Sequence, residues 1–300
     1  MSTEVIYIDY NKSQALQQEI EAIRRSCEAA HFLEQSEVLQ YPTPETYVHE
    51  FISGLDGLEF QQQMTQFSQP QKILDIGVGS GRSSICLAMQ GHTVAAVEPS
   101  PDLCCRLEMA ANLYQLPLTI YNCNAESINK IQQSFDGIIF NSSLHHCDDP
   151  IAALKHCYDC LSPGGKLLVI NEPVLQFYRS KAWFYERLKT HPEEMGHYGG
   201  NEHNYRYSEY LTMLRSAGFQ KVAVSPHACI RHHQQRLQQA ESQIQRGQTH
   251  ARQAKLTLKK VYYALIARCQ DSGWLEKTVL KLLQQLSLIP VTFIATKESR

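Results

Sequence analysis

The sequence lacks a surplus of charge of either sign, and it lacks a long apolar run. Its 28 Lys and Arg residues nearly cancel its 30 Asp and Glu residues, so no strong field would draw the chain onto nucleic acid or an anionic bilayer. No apolar stretch approaches the roughly 20 residues that span a bilayer. The first ten residues carry Glu4 and Asp9, where a secretion signal would have a basic flank before an apolar stretch. We therefore expect a cytoplasmic protein that acts on small molecules and associates with neither nucleic acid nor membrane.

The sequence also lacks the cysteine pattern of a disulfide scaffold or a zinc site. Ten cysteines would staple a secreted scaffold only in a far shorter chain than 300 residues, and Cys86, Cys104 and Cys105 fall within ordinary helical patterns. The one metal-like spacing joins Cys157 to Cys160, and no second pair of this kind accompanies it. We expect reduced thiols and no bound metal.

A change in the period of apolar residues divides the chain. Residues 1–70 show helical spacing, which predicts a helical N-terminal cap of two helices. Over residues 71–300 short apolar runs alternate with helical stretches, which predicts right-handed crossovers and a mostly parallel sheet. Two segments break this alternation: an aromatic, lid-like insertion at 173–204, and a helical insertion at 230–286 with apolar residues every seven positions. The second insertion either packs on its own domain or forms a homodimer contact.

A glycine-rich turn follows the first strand of the predicted sheet. Glycine at positions 77, 79 and 81 allows positive φ and lets a ligand approach the backbone closely. Gly81 arrives one residue earlier than the third glycine of the dinucleotide fingerprint, and the sequence contains no triphosphate-binding P-loop. The turn therefore fits a nucleoside without phosphates better than a diphosphate.

An acidic residue ends the second strand of the predicted sheet. Glu98, before Pro99, offers two carboxylate oxygens to the two vicinal hydroxyls of a ribose. A solvated strand end is the alternative interpretation. Following the glycine turn, Glu98 indicates a nucleoside site at the carboxyl ends of the strands.

Five segments together resemble the class I S-adenosylmethionine-dependent methyltransferases, particularly the branch that acts on small molecules. The resemblance covers about residues 72 to 219, and its segments lie in the family's order at 74–81, 97–100, 123–126, 135–150 and 161–167. It implies an α/β, Rossmann-like sheet of seven mostly parallel strands. It also implies that residues 291–296 form the last strand and enter the sheet antiparallel, between two neighbours.

The resemblance implies S-adenosyl-L-methionine as the cofactor and S-adenosyl-L-homocysteine as the product. Asn124 stands where the family often has Asp, so an amide oxygen or the backbone would recognise adenine. The candidate cofactor-binding residues are Asp75, Gly77, Gly79, Gly81, Glu98, Pro99, Asn124, Ala125, Glu126, Asn141 and Ser142.

Methyl transfer from a sulfonium releases a neutral sulfur, so alignment of the acceptor matters more than general acid catalysis. Candidate catalytic residues follow the fourth and fifth strands or lie at the end of the lid-like insertion: His145, His146, Glu172 and His203. At least one of the two adjacent histidines could instead be structural, and Glu172 could simply accept local hydrogen bonds.

Aromatic residues at the end of the lid-like insertion are candidates for binding the substrate. The insertion either folds over a bound acceptor or packs on the edge of the sheet. The candidates are His197, Tyr198, Tyr205 and Tyr207. Metal binding by His197, Glu202 and His203 is an alternative, but their spacing matches no specific motif and metal is unnecessary for this chemistry.

The sequence thus predicts an enzyme that methylates an oxygen or a nitrogen of a small-molecule metabolite or natural product. One alternative is a non-catalytic S-adenosylmethionine-binding scaffold that uses residues 230–286 as its partner surface. Another is a protein or RNA methyltransferase, which the balanced charge and the tetrapeptide at 141–144 disfavour.

Overall fold

The computed structural model describes residues 3–29, 40–67, 69–191, 202–228, 257, 282, 285 and 291–299. Apart from three single positions, the predicted helical insertion at 230–286 lies outside the described residues, as do His197 and Tyr198. The division of the chain at residues 70 and 71, and a homodimer through 230–286, stay predictions.

Eight strands in the described part of the chain form one sheet in the order β1-β4-β3-β2-β5-β6-β8-β7. The strands are β1 (Glu4–Tyr7), β2 (Lys72–Ile76), β3 (Thr93–Val97), β4 (Leu118–Asn122), β5 (Phe135–Asn141), β6 (Leu161–Ile170), β7 (Lys221–Pro226) and β8 (Val291–Thr296). Strand β8 runs antiparallel to both of its neighbours, and every other neighbouring pair is parallel. This confirms the α/β, Rossmann-like architecture and the insertion of residues 291–296 between two strands.

The sheet has one strand more than the seven that we expected. The additional strand, β1, lies in the region predicted to be mostly helical, and its residues Glu4–Tyr7 pair in parallel with β4. Four residues are too few to show a clear period of two, so the sequence pattern does not reveal this strand. The described part of this region also holds three helices instead of two: α1 (Gln14–Ala29), α2 (Pro44–Ser53) and α3 (Leu55–Met64).

Side-chain caps begin several of the remaining helices. Ser100 caps α5 by accepting from the N–H of Leu103, and Asp149 caps α6 by accepting from the N–H of Ala152. Proline follows each of these caps, at a position where its fixed φ suits the first turn. These helices are α4 (Arg82–Met89), α5 (Pro101–Leu113), α6 (Pro150–Cys160), α7 (Lys181–Thr190) and α8 (Tyr207–Ser216).

Helices cover both faces of the sheet, and each face has its own apolar core. Ile138 and Phe140 of β5 pack on one face, while Ile139 between them packs on the other, as expected for a strand that is buried on both sides. None of the described helices is both long enough and apolar enough to cross a membrane. This layered arrangement brings the carboxyl ends of β2, β3, β4 and β5 to one edge of the sheet, where parallel α/β sheets bind ligands.

Candidate active site

A cleft opens at the carboxyl ends of the central strands. Eight of the predicted cofactor-binding residues line it: Gly77, Gly79, Glu98, Pro99, Asn124, Ala125, Glu126 and Ser142. His146 is the one predicted catalytic residue on its wall. The structure therefore brings most of the predicted cofactor residues together around one space.

The three glycines of the turn after β2 all have positive φ, but they face different surroundings. A Cβ added to Gly79 would meet no atom within 4 Å, so this residue faces the open cleft. A Cβ on Gly81 would lie 2.3 Å from Cδ1 of Leu107 in α5. Gly79 therefore leaves room for a ligand, whereas Gly81 allows two helices to pack closely.

Glu98 lies beside this turn with its carboxylate in the wall of the cleft, and only 4% of the residue is exposed. Its Oε2 accepts a hydrogen bond from the N–H of Gly79, and its Oε1 accepts one from the N–H of Ser100, each at 2.9 Å. Burial raises the pKa of Glu98 to about 7, although the two hydrogen bonds favour the charged form. Because a carboxylate has about four acceptor sites, Glu98 retains capacity for the hydroxyls of a ligand.

Asn124 lines the cleft after β4 and is 8% exposed. Its Oδ1 is buried and has no hydrogen-bond partner among the described residues, while its Nδ2 donates to the backbone oxygen of Asn11 at 3.5 Å. Buried acceptors are nearly always satisfied, so this oxygen is suited to a ligand N–H such as the exocyclic amine of adenine.

Two of the predicted cofactor residues support the cleft from behind and do not line it. Asp75 in β2 accepts hydrogen bonds on Oδ2 from the hydroxyls of Ser83 and Ser84, both at 2.7 Å, and burial raises its pKa to about 6. Asn141 accepts on Oδ1 from the Nδ2 of Asn171 at 2.6 Å. Together with Gly81, these residues hold the turns after β2 and β5 in place.

The electrostatic character of the cleft wall separates the possible ligands. Within the described residues, no Lys or Arg lines the cleft, whereas Glu19, Glu98, Glu126 and Asp148 do. A diphosphate would lack cationic partners here. A nucleoside that carries a positive charge fits this wall better.

Two adjacent histidines stand at one end of the cleft, in the 3-10 helix Leu144–His146 after β5. His145 is 5% exposed, and its Nδ1 lies 2.8 Å from Oε2 of Glu172. Burial lowers the pKa of His145, but the adjacent carboxylates of Glu172 and Glu202 outweigh this effect and raise the pKa to about 10. His146 lies against the cleft, with its Nδ1 3.6 Å from Oε1 of Glu19.

Glu172 holds this histidine turn from below. Its carboxylate is fully buried and accepts from the backbone N–H groups of Ser143, Leu144 and His145, in addition to the ring of His145. Burial would raise the pKa of Glu172, but the facing His145 ring and these hydrogen bonds lower it. Both oxygens of Glu172 are occupied by the protein, so its position favours a role in fixing the histidines.

The residues predicted to contact the acceptor that the structure describes, His203, Tyr205 and Tyr207, do not line the cleft. His203 donates its backbone N–H to the backbone oxygen of His145 at 3.1 Å, and its ring Nδ1 lies 3.0 Å from the hydroxyl of Tyr185. Tyr205 packs with its ring centroid 5.5 Å from that of Tyr210, and the ring of Tyr207 lies 5.8 Å from that of Phe293. These contacts pack both tyrosines against core residues. This arrangement agrees with the alternative interpretation, in which the aromatic residues pack on the sheet instead of folding over an acceptor.

Comparison with known proteins matches the central part of the chain to one family. The family model described as a methyltransferase domain matches residues 74–169. The chain is 35% identical over 108 residues to the ubiquinone biosynthesis O-methyltransferase of Coxiella burnetii, covering 36% of this chain and 45% of that protein. It is 27% identical over 161 residues to the enzyme of the same name from Xanthomonas axonopodis pv. citri, covering 51% and 64% of the two chains. The chain thus spans less than two thirds of the length of these curated relatives.

A solved structure shares the fold. Phosphoethanolamine N-methyltransferase 2 of Haemonchus contortus, in complex with S-adenosyl-L-methionine, superposes with a TM-score of 0.51 at 17% identity, over 90% of this chain and 60% of that one. Residues 74–169 carry a methyltransferase domain, consistent with the class I S-adenosylmethionine-dependent methyltransferases.

The methyltransferase cleft also includes a wall that the sequence did not reveal. Leu16, Glu19 and Ile23 of α1 line it at helical spacing. The hydroxyl of Tyr10 donates to the backbone oxygen of Pro99 at 2.7 Å, which holds the chain before α1 against the site. The available signal was the acidic Glu19 beside the apolar stripe of α1, and a sequence pattern does not show whether such a residue faces a cleft.

Proposed function

We propose that this methyltransferase transfers the methyl group of S-adenosylmethionine to an oxygen of a small-molecule acceptor. The observation that carries the proposal is the composition of a single cleft. A buried carboxylate suited to a ribose lies in its wall, and a cluster of polar imidazole and carboxylate groups stands at one end.

In the part of the cleft that would bind the cofactor, different residues would recognise different parts of the nucleoside. The carboxylate of Glu98 accepts from the ribose hydroxyls, and Oδ1 of Asn124 accepts from the adenine amine. The open space at Gly79 accommodates the amino-acid tail. When bound, the sulfonium supplies an electrophilic methyl group whose leaving sulfur is neutral, so no general acid has to be provided.

The chain's own contribution to the reaction is to position the acceptor and exclude water. Helix α1 covers the cleft with Leu16 and Ile23, which limits access of solvent. His146 and Glu202 present polar atoms towards the acceptor end, and Glu172 holds the neighbouring His145 in place. Orientation of this kind contributes on the order of 7–11 kcal/mol to such reactions, more than one proton-transfer residue usually supplies.

Oxygen is favoured over nitrogen as the acceptor atom by the names of the curated relatives, both of which are O-methyltransferases. The carboxylates Glu19 and Glu202 beside the histidines would also suit a cationic amine. Amines therefore belong in the same acceptor screen as phenols.

The proposal is tested first by calorimetry with S-adenosylmethionine and S-adenosylhomocysteine, and then by mass spectrometry of S-adenosylhomocysteine formed with a panel of phenols, catechols and amines. We expect both nucleosides to bind and a phenol or catechol to support turnover. Failure of both nucleosides to bind would end the proposal. Binding without turnover on any acceptor, including RNA and protein extracts, would favour the non-catalytic scaffold.

A further inference from the structure

Three side chains that can bind a metal ion lie close together at the end of the cleft where we place the acceptor. Single ligand atoms of His145, His146 and Glu202 all lie within 4.8 Å of one another. Nε2 of His145 is 3.4 Å from Oε2 of Glu202, and Nε2 of His146 is 3.7 Å from Oε1 of the same carboxylate. Residues 145 and 146 are far from residue 202 in sequence, so no spacing motif predicts this group.

These separations fit ligands around a shared cation better than they fit hydrogen bonds. A charge-assisted hydrogen bond between nitrogen and a carboxylate is about 2.7–2.9 Å long, which is shorter than both distances. Zinc bonds to nitrogen and oxygen are about 2.0–2.2 Å, and tetrahedral angles then place two ligand atoms about 3.3 Å apart. The observed distances of 3.4 and 3.7 Å lie close to that value.

The second nitrogen of each imidazole faces a carboxylate. Nδ1 of His145 lies 2.8 Å from Glu172, and Nδ1 of His146 lies 3.6 Å from Glu19. Metal-bound histidines usually have such a partner on the nitrogen that does not bind the metal, because it fixes the tautomer and orients the ring. Nε2 is therefore the nitrogen of each imidazole that would bind the metal, and in both residues it lies on the side of Glu202.

The position of the group leaves one side open. His146 lines the cleft, so a cation held by the three side chains would have a free coordination position on the ligand side. Two imidazoles and one carboxylate with an open position are the arrangement of many catalytic zinc sites. Imidazole ligands favour Zn²⁺, Co²⁺ or Fe²⁺ over Mg²⁺ or Ca²⁺.

We propose that His145, His146 and Glu202 form a binding site for a divalent transition-metal cation, and that the acceptor oxygen occupies its open position. The second half of this proposal rests on the proposed function. A hydroxyl bound to such a cation loses its proton to solvent more readily, because the positive charge lowers the pKa of a coordinated oxygen. The site would thereby select oxygen acceptors that ionise, such as phenols.

The metal is tested on the full chain without a histidine tag, after treatment with a chelator and desalting. Binding of Co²⁺ is followed by its visible absorption, and metal content is measured by mass spectrometry. Because His232 and His233 are adjacent in sequence, the background protein carries His232→Gln and His233→Gln. We expect one Co²⁺ per chain with the absorption of a four- or five-coordinate site.

Two ligand variants and one control locate the site. Glu202→Gln and His146→Gln should each weaken Co²⁺ binding by at least about tenfold. His49→Gln, at an exposed position of α2, should keep the affinity of the background protein. Absence of Co²⁺ absorption, or equal affinity in all variants, would overturn the proposal and leave Glu202 as an ion-pair partner of the histidines.

The open position is tested with catechol as the probe. Catechol added to the Co²⁺-loaded protein should change the visible spectrum, and an unchanged spectrum would overturn the assignment of the acceptor oxygen to the metal. Calorimetry of S-adenosylmethionine with the chelator-treated protein distinguishes failure of the metal site from failure of the proposed function. If the nucleoside binds and acceptors turn over without Co²⁺ binding, this inference fails while the proposed function stands.

Discussion

Oε2 of Glu98 accepts a hydrogen bond from the backbone N–H of Gly79 at 2.9 Å. This contact joins the carboxylate after β3 to the glycine turn after β2, so two parts of the nucleoside site share one hydrogen-bond network. The same carboxylate is buried and accepts from Ser100. A change at either Glu98 or Gly79 is therefore expected to affect the binding of the cofactor.

Replacing Glu98 tests its assignment to the ribose. Glu98→Gln keeps the shape of the side chain but removes its charge, and hydrogen bonds to charged groups contribute about 1.5–3 kcal/mol. We expect the affinity for S-adenosylhomocysteine, measured by calorimetry, to fall about 10- to 100-fold. Asp159→Asn, at an exposed position near the end of α6, is the control and should leave the affinity unchanged.

The binding of S-adenosylhomocysteine should also depend on pH through Glu98. Burial raises the pKa of this carboxyl to about 7 in the folded protein, and the ionised form is the better acceptor for two hydroxyls. Affinity is expected to rise about tenfold between about pH 6 and about pH 8, as the ionised fraction grows. In Glu98→Gln this rise should disappear, and a rise of the same size in the variant would assign the titration to another group.

The raised pKa of Glu98 also affects folding stability. A rise in pH should strengthen the binding of S-adenosylhomocysteine but lower the free energy of unfolding. The folded-state pKa of Glu98 is raised above its ordinary value, so folding stability falls as pH rises from the unfolded pKa to about 7 and this loss stays constant at higher pH. The difference in free energy of unfolding between wild type and Glu98→Gln should therefore shift in favour of the variant as pH rises. Urea unfolding of the cofactor-free proteins at several pH values measures it.

Two glycines of the same turn allow a matched comparison. Gly79 and Gly81 both have positive φ, +54° and +79°, so alanine brings similar backbone strain of about 1 kcal/mol at either position. Gly79→Ala adds its Cβ to open space, and we expect a folded protein that binds S-adenosylhomocysteine at least about tenfold more weakly. Gly81→Ala puts a Cβ 2.3 Å from Leu107 and should lower the melting temperature much more. Unchanged affinity in Gly79→Ala would show that the nucleoside does not contact this residue.

Glu172 is expected to matter for folding before it matters for turnover. Glu172→Ala leaves the backbone N–H groups of Ser143, Leu144 and His145 without their acceptor. It should cost about 3–5 kcal/mol in free energy of unfolding, as breaking a buried ion pair does. Glu186→Ala, at an exposed position of α7, should stay within about 0.5 kcal/mol of wild type. A small effect in Glu172→Ala would contradict its role as a support of the histidine turn.

The central sheet was predictable because its signals are local. Each strand from β2 to β6 is a short apolar run that ends in a turn or at a capped helix, and these features are visible within about ten residues. The place of β8 between β6 and β7 came from the family resemblance, since no local pattern states which strands are neighbours. Strand β1 was missed because its four residues carry almost no period.

The acceptor end was less predictable because its residues come from separate parts of the chain. Glu19 lies in α1, His146 follows β5, and Glu202 lies at the end of the predicted lid-like insertion. Each has an ordinary interpretation in its own segment: an amphipathic helix, a family motif and a polar loop. Their short separations appear only when the sheet brings these segments to one edge.

The amino-acid sequence by itself determined the nucleoside half of this protein, since the glycine turn and the acidic strand end are close in the chain and need only local φ angles and one parallel strand pair to meet. Tertiary structure alone decided which polar groups face the other end of the cleft and which support them. Glu172 illustrates the reason, because its burial beneath His145 is a result of packing between β6 and the turn after β5. Chemical role depends on solvent access and on neighbours, and for this half of the cleft both come from contacts between residues distant in sequence.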